Sequence, residues 1–374
     1  NTSLRFAAAA GAAALVLAAC GSDDSSSADT SADDAGEETL NAAGEQPIVV
    51  VTTDVLGDVV EELRDGQAEV VTLMGHGSDP HVFQASAQQV TQMIEADVLV
   101  SNGASFEEGM LDVIESVEAE GVPTFEAISA VGEVIGYGDD ESHDDHGEGH
   151  EDEEAHEDEE AHEDEEAHED EEAHEDEEAH EDEEAHEDEE DHDDHDHGSV
   201  DPHFWLDPAR LAESARGMSA FFAETLEGID ADALDAATSD YLAELDALDT
   251  ESVDALAEIG SGRRTLVTNH DSYAYFADRY DFEVIGTVIP STSSLAETSP
   301  ADLAELRDTM EAAGVSVVFS ETGESGDEAA ALAADAGIDV VALVVDDLGP
   351  PGSDTSTYVD LVRTASLRIT EALA

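Results

Sequence analysis

"QPIVVVTTDVLGDVVEELRDGQAEVVTL", residues 46–73, is the stretch whose reading decides the fold class. Ile48 to Val51 is an unbroken β-branched run between polar flanks, which suits a short strand buried on both faces, as in a parallel sheet. Residues 54–64 ("DVLGDVVEELR") then mix apolar and acidic side chains at amphipathic helical spacing, and residues 68–73 ("AEVVTL") form a second strand candidate. Strand, helix and strand in close succession is the unit of an α/β fold.

The same alternation runs outward from this stretch. A helix-like segment (86–95) precedes "DVLVSN" (97–102), and another (106–119) precedes "VPTFEA" (122–127). The pattern breaks over residues 139–198. Residues 208–260 are then mostly helical, with one long periodic stretch at 230–259, after which strand candidates return at 264–269, 282–289, 315–321 and 339–345. A last helix is predicted at 356–373. The expected architecture is α/β: two lobes, each with a central, mainly parallel sheet flanked by helices, joined by a long rigid helix. The N-terminal lobe spans 47–229, the linking helix 230–260 and the C-terminal lobe 261–374. Lobes of this kind bind ligands in the crevice at the carboxyl ends of their strands.

Length and charge narrow the classes of function. A chain of 374 residues has room for about two domains. It carries 98 Asp and Glu against 10 basic residues, all arginine, for a net charge of −88. Residues 139–198 hold 38 of those acids, so 60 remain elsewhere and the body is acidic without them. Such a field repels nucleic acid and anionic headgroups and attracts cations. The single cysteine, Cys20, rules out an intramolecular disulfide. It ends "RFAAAAGAAALVLAAC" (5–20), where an arginine leads an apolar run of signal-peptide length. Leu17-Ala18-Ala19-Cys20 resembles a bacterial lipobox, so residues 1–20 are expected to be a lipoprotein signal with Cys20 as the lipidated residue. Two acyl chains suffice for stable anchoring. The polar residues 21–46 read as a disordered tether. The expected location is therefore extracytoplasmic, on the outer face of the cell membrane, with the lipid anchor as the membrane contact.

Histidine is distributed unevenly. Twelve of the 16 lie in the acidic segment: His143, His146, His150, His156, His162, His168, His174, His180, His186, His192, His195 and His197. From Glu151 to His186 the unit "EDEEAH" repeats. In a helix a spacing of six would rotate successive imidazoles by about 240°, so neighbours would not share a face. The charge density argues against any fixed fold. The segment reads as a polyanion with auxiliary weak metal sites, each weaker than a preorganised pocket because chain entropy must be lost to form it. A merely solvating loop is the plainer alternative.

The other four histidines are His76, His81, His203 and His270. Asp-Pro-His occurs at 79–81 and again at 201–203, and the proline stiffens the loop that carries each histidine. His270 follows "TLVTN" directly, ahead of an aromatic helix; Asp346 and Asp347 sit after a strand in "LVVDDLGPPG" (343–352). His81, His203 and His270 are thus expected in loops or at strand exits. Three imidazoles and a carboxylate suit tetrahedral Zn²⁺, whereas Mn²⁺ favours more oxygen donors. Asp347 and Glu321 compete with Asp346 for the carboxylate position, and Asp271 and Asp207 are candidates to orient an imidazole.

Residues 77–111, "DPHFWLDP" (201–208), "NHDSYAYFADRY" (269–280) and "VVDDLG" (344–349) together resemble the cluster A-I solute-binding proteins of bacterial zinc and manganese ABC importers. The likeness covers nearly all of 47–374, and an acidic, histidine-rich insert is itself typical of the zinc members. It implies a metal site of His81, His203, His270 and Asp346, two lobes closing slightly on the ion, and a cognate ABC permease with its ATPase as partners of a monomer. Manganese members often have glutamate where this chain has His270, which favours zinc. The chain departs from the pattern at His76, which is a spare ligand, a gate or a plain turn residue. Three other readings compete: a manganese-specific homologue, a surface zinc buffer or adhesin without a transporter, and a zinc hydrolase. The last would need an open coordination position and a general base, and neither His-Glu-x-x-His nor a clear base is present.

Overall fold

The computed structural model of the chain describes residues 46–136, 200–296, 298–321 and 326–374. Cys20, the 21–45 part of the tether and all twelve histidines of the acidic segment lie outside the described residues.

Two four-stranded parallel sheets organise the molecule. The first comprises β1 (Ile48–Val51), β2 (Glu69–Thr72), β3 (Val98–Ser101) and β4 (Thr124–Glu126), in the spatial order β2-β1-β3-β4. The second comprises β5 (Thr265–Thr268), β6 (Glu283–Thr287), β7 (Val317–Glu321) and β8 (Asp339–Leu343), in the order β6-β5-β7-β8. The two orders are the same. Each sheet starts in its middle, grows to one side and then to the other, so each has a switch point beside its first strand, where adjacent loops part and leave a crevice.

Helices α1 (Asp54–Leu63), α2 (Ala87–Ile94) and α3 (Leu111–Ala119) connect the first sheet; α6 (Ala274–Tyr280), α7 (Pro300–Ala313) and α8 (Gly326–Ala336) connect the second. Between the sheets in sequence come α4 (Pro208–Thr225) and the 26-residue α5 (Ala231–Leu256), and α9 (Tyr358–Leu373) closes the chain. Their starts follow the expected chemistry. Thr53 caps α1, Ser86 and Gln89 form a capping box on α2, Ser299 and Asp302 do so on α7, and Asp207 caps α4 ahead of Pro208. The predicted helix at 106–119 is shorter than expected: a 3₁₀ turn at Glu108–Met110 precedes α3, because this stretch must turn to present side chains to the crevice.

Strand periodicity divides the core. Val50 and Leu99 point to a small cluster with Met93, Met110 and Ile114, while Val49, Val51, Val98 and Val100 point the other way. In the second sheet Val267 and Val318 face a cluster with Leu306 and Leu332, and Leu266, Val317 and Phe319 face the opposite side. The two opposite sides merge into one large core that also holds Tyr241, Leu245 and Leu248 of α5 and Leu361, Val362 and Ile369 of α9. The lobes are thus joined by packed apolar surface and not by a bare tether.

At this junction Tyr358 donates its hydroxyl to Trp205 O at 2.7 Å, and Trp205 Nε1 donates to Val345 O at 3.1 Å, all within fully buried side chains. Tyr358→Phe leaves the Trp205 carbonyl without that donor and should cost about 1 kcal/mol of stability. Trp205 is the only tryptophan, so its fluorescence during urea unfolding reports this junction directly. The expected result is a lower midpoint with an unchanged slope.

Candidate metal centre

The crevice is built from loops at the carboxyl ends of both sheets. His81 lies in the loop after β2, His203 just before the 3₁₀ turn that leads to α4, His270 two residues past β5, and Asp346 three residues past β8. These four bring one candidate ligand atom each to within 4.8 Å of one another. The three histidines are at most 2% exposed.

Three of the spacings lie near those of a small tetrahedral ion, within a set that spans at most 4.8 Å. His203 Nε2 is 3.1 Å from His270 Nε2; it is 3.6 Å from Asp346 Oδ1, and His270 Nε2 is 3.8 Å from Asp346 Oδ2. A tetrahedron with bonds of about 2.0–2.2 Å has edges of roughly 3.3–3.6 Å. Two of the candidate donor atoms, His81 Nε2 and Asp346 Oδ1, are buried without a hydrogen-bond partner. Orphaned atoms of this kind cost free energy unless something compensates them, which a cation would do.

On the far side of each ring a carboxylate faces Nδ1. Glu108 Oε1 is 3.0 Å from His81 Nδ1, Asp201 Oδ1 is 2.7 Å from His203 Nδ1, and Glu321 Oε1 is 2.5 Å from His270 Nδ1, the last with the geometry of an ion pair and not of an aligned hydrogen bond. A carboxylate at Nδ1 holds a proton there, which makes Nε2 the nitrogen that faces the shared centre.

The two Asp-Pro-His tripeptides reveal a role for aspartate that proline stiffness does not. Asp79 Oδ1 accepts from His81 N at 2.9 Å, and Asp201 Oδ1 accepts from His203 N at 2.9 Å. The carboxylate two residues ahead thus folds the loop under its histidine. In the second copy the same oxygen also accepts from the ring Nδ1–H, whereas Asp79 uses its other oxygen to accept from Ser294 Oγ at 2.6 Å.

Glu108 is placed by a strained loop. Gly103, Ala104 and Ser105 have φ of 83°, 50° and 59°, a left-handed run that only the glycine adopts without cost. Buried Glu107 holds it, accepting from Thr52 Oγ1 at 2.6 Å and Asn102 N at 2.7 Å, and Asn102 Nδ2 donates to Pro202 O at 3.1 Å. Phe106 from the same loop packs its ring 5.0 Å from that of His81 and 5.5 Å from that of His203.

Burial and charge set the protonation. His203 is pushed well below its usual range by burial and by the neighbouring imidazoles His270 and His81. Burial also pulls on His270, but Glu321 and Asp346 outweigh it and raise that ring to about 10. Burial lifts Asp346 to about 7 and Asp201 to about 8, while the hydrogen bond from His81 lowers Glu108. The metal-free pocket therefore keeps a proton on His270 beside a neutral His203.

Of the other residues singled out in the sequence, Glu321 lies beside His270 as described. Asp271 acts on Asp201 through its charge, and its backbone N–H donates to Ser291 O. Asp347 Oδ2 accepts from Gly77 N at 2.6 Å, and His76 stands outside the cluster of four. Asp207 does not orient an imidazole: one oxygen caps α4 at Ala209 N and the other pairs with Arg210, since a helix start and a guanidinium are its nearest partners. Glu107, Glu108 and Asp201 escaped the sequence reading. The signal for Asp201 was present in the tripeptide; "FEEG" (106–109) carried none that separates a structural glutamate from a solvated one.

The acidic segment is attached close by. Gly136 and Val200 form an antiparallel bridge, and Asp201 N donates to Ile135 O at 2.9 Å, so the chain leaves and returns immediately before Asp201 and His203.

The chain is similar to known proteins over most of its length. The manganese-binding lipoprotein MntA of Bacillus subtilis (strain 168) is 26% identical over 340 residues, covering 89% of this chain and 91% of that protein. The zinc-binding protein TroA of Treponema pallidum (strain Nichols) is 25% identical over 339 residues, with the same shares of 89% and 91%. The solved structure of the periplasmic zinc-binding protein TroA from T. pallidum superposes with a TM-score of 0.68 at 22% identity, covering 88% of this chain and all of that one, and so shares the fold. Residues 49–372 match the family described as "Zinc-uptake complex component A periplasmic", and the chain belongs to that family of cluster A-I solute-binding proteins.

Proposed function

We propose that this protein captures Zn²⁺ outside the cytoplasm at His81, His203, His270 and Asp346 and delivers it to the permease of an ABC importer, anchored to the membrane by lipid on Cys20. The observation that carries this reading is the convergence of one donor atom from each of the four, with every imidazole backed by a carboxylate. Zinc is cargo here. Four protein donors fill a tetrahedron, as in a closed site, whereas a catalytic zinc keeps a position open for water. Among the described residues no helix is long and apolar enough to cross a membrane, in keeping with attachment through lipid.

Three nitrogens and one oxygen favour zinc over manganese, which seeks more oxygen. The manganese reading draws on Glu321, whose carboxylate stands next to His270 close to Asp346, and on relatives named for manganese. The acidic segment, attached next to Asp201 and His203, would raise the local zinc concentration at the crevice through many weak sites.

Calorimetric titration with Zn²⁺ and Mn²⁺ tests the reading. The expected result is one tight zinc site and a weaker manganese response, with His270→Ala weakening the tight site by more than about a hundredfold, since even an outer partner of a ligand is worth 10–100-fold. A tight manganese site would reverse the assignment of the cargo. Deleting residues 139–198 should leave the tight site intact and remove the weak ones in the same titration; loss of the tight site on deletion would sink the reservoir role.

Binding should also release a proton, because His270, raised to about 10, must surrender one to the ion. Its folded-state value lies above neutral pH, so zinc competes with that proton throughout the neutral range and gains as pH rises. Affinity is expected to fall about tenfold per unit as pH drops toward about 7, and more steeply below it, where Asp346, raised to about 7, takes up a second competing proton. Titrations in buffers of different ionisation enthalpy would count the proton.

A further inference from the structure

Asp346 follows a strand of the second sheet, yet the segment around it is held from the first lobe. Trp205 Nε1 donates to Val345 O at 3.1 Å, and Gly77 N donates to Asp347 Oδ2 at 2.6 Å. Leu348 N donates to Asp54 Oδ1 at 3.1 Å, at the start of α1. His76 Nδ1 lies 3.1 Å from Asp54 Oδ2 and 3.2 Å from Leu348 O. Both partners of that nitrogen are acceptors, so Nδ1 carries the proton and donates to both. Gly77 contributes through its φ of 75°, a left-handed turn that a side chain would strain.

His76 therefore joins the carboxylate that holds one end of Leu348 to the carbonyl at its other end. Asp346 Oδ1 has no hydrogen bond of its own and only the longer contact to His203 Nε2 at 3.6 Å, so the held neighbours at 345, 347 and 348 bear on where the carboxylate stands. The ring is 40% exposed at its side chain and is not one of the four converging donors.

From this we infer that His76, with Asp54, is a positioning residue for the cargo: a clasp across the lobes that seats Asp346 against the ion and makes retention depend on the lobes staying together. The inference rests on the zinc-site reading above. His76 so placed is not one of the four converging donors, and it does more than fill a turn. The clasp also gives the lobes different shares in the site than their sequence suggests. The first lobe supplies two histidines and, through the clasp, the placement of the second lobe's carboxylate.

The test is the rate at which the zinc-loaded chain yields its metal to an excess of chelator, followed in stopped flow. The variants are His76→Ala and His76→Asn, each also made with Asp346→Ala; His270→Ala identifies the phase that belongs to the tight site. Losing one hydrogen bond of ordinary strength should speed zinc loss roughly tenfold in His76→Ala. His76→Asn, whose amide can put a donor near the place of Nδ1, should return within about threefold of the starting rate. With Asp346→Ala the effect of His76→Ala should shrink below about twofold, because the two positions act through one contact. The visible spectrum of the Co²⁺-loaded chain should shift in His76→Ala, as the ligand field reports a displaced carboxylate. Equal acceleration with and without Asp346 would overturn the clasp and leave His76 a merely structural residue. A slow phase that depends on His270 but ignores His76 would overturn the clasp alone, while absence of any slow phase would overturn the zinc-site reading and the clasp together.

Discussion

A carboxylate at Nδ1 of each buried imidazole is the constraint on which the rest of this structure turns. Three buried imidazoles with their inner nitrogens within 4.8 Å of one another would repel as cations and would otherwise choose tautomers independently. Glu108, Asp201 and Glu321 remove that freedom by engaging the outer nitrogens, and the inner ones meet. The arrangement needs three acids buried or half-buried beside the rings, which only pairing can sustain.

Holding those acids explains much of the local architecture. Glu321 costs little, since it ends β7 and its direction follows from the pleat. Asp201 is fixed by proximity in sequence, through the turn that its own oxygen makes with His203 N. Glu108 is the expensive one. It sits past three consecutive left-handed residues, and buried Glu107 holds that loop with hydrogen bonds from Thr52 and Asn102. Strain is stored where the site needs a side chain aimed against the local preference of the chain.

The identical strand orders of the two sheets do the coarser work. Each sheet opens a crevice at its switch point, and the helices α4, α5 and α9 weld the closed faces of both sheets into one apolar core. The lobes thus share one continuous apolar core behind the cleft. Cross-lobe hydrogen bonds at Val345, Asp347 and Leu348 stand next to Asp346. The acidic body adds a long-range pull on cations that salt would screen within about 10 Å.

Local pattern sufficed for the strands, since β-branched runs such as Ile48–Val51 suit one conformation wherever they are buried, and for the order of sheet and helix along the chain. It also sufficed for the three histidines that converge, because few histidines stand outside the acidic segment and three of them fall in loops between strands and helices. The four motifs were enough to recognise the family. Tertiary structure alone decided which acids serve those rings. Glu108 is 27 residues from His81, and Glu321 is 51 residues from His270, separations at which spacing carries no information. It also decided that Asp207 caps a helix and that His76 reaches Leu348 across 272 residues of sequence. Short-range geometry is written in φ, ψ and periodicity; the pairing of distant charges appears only when two sheets have packed and water has been driven from between them.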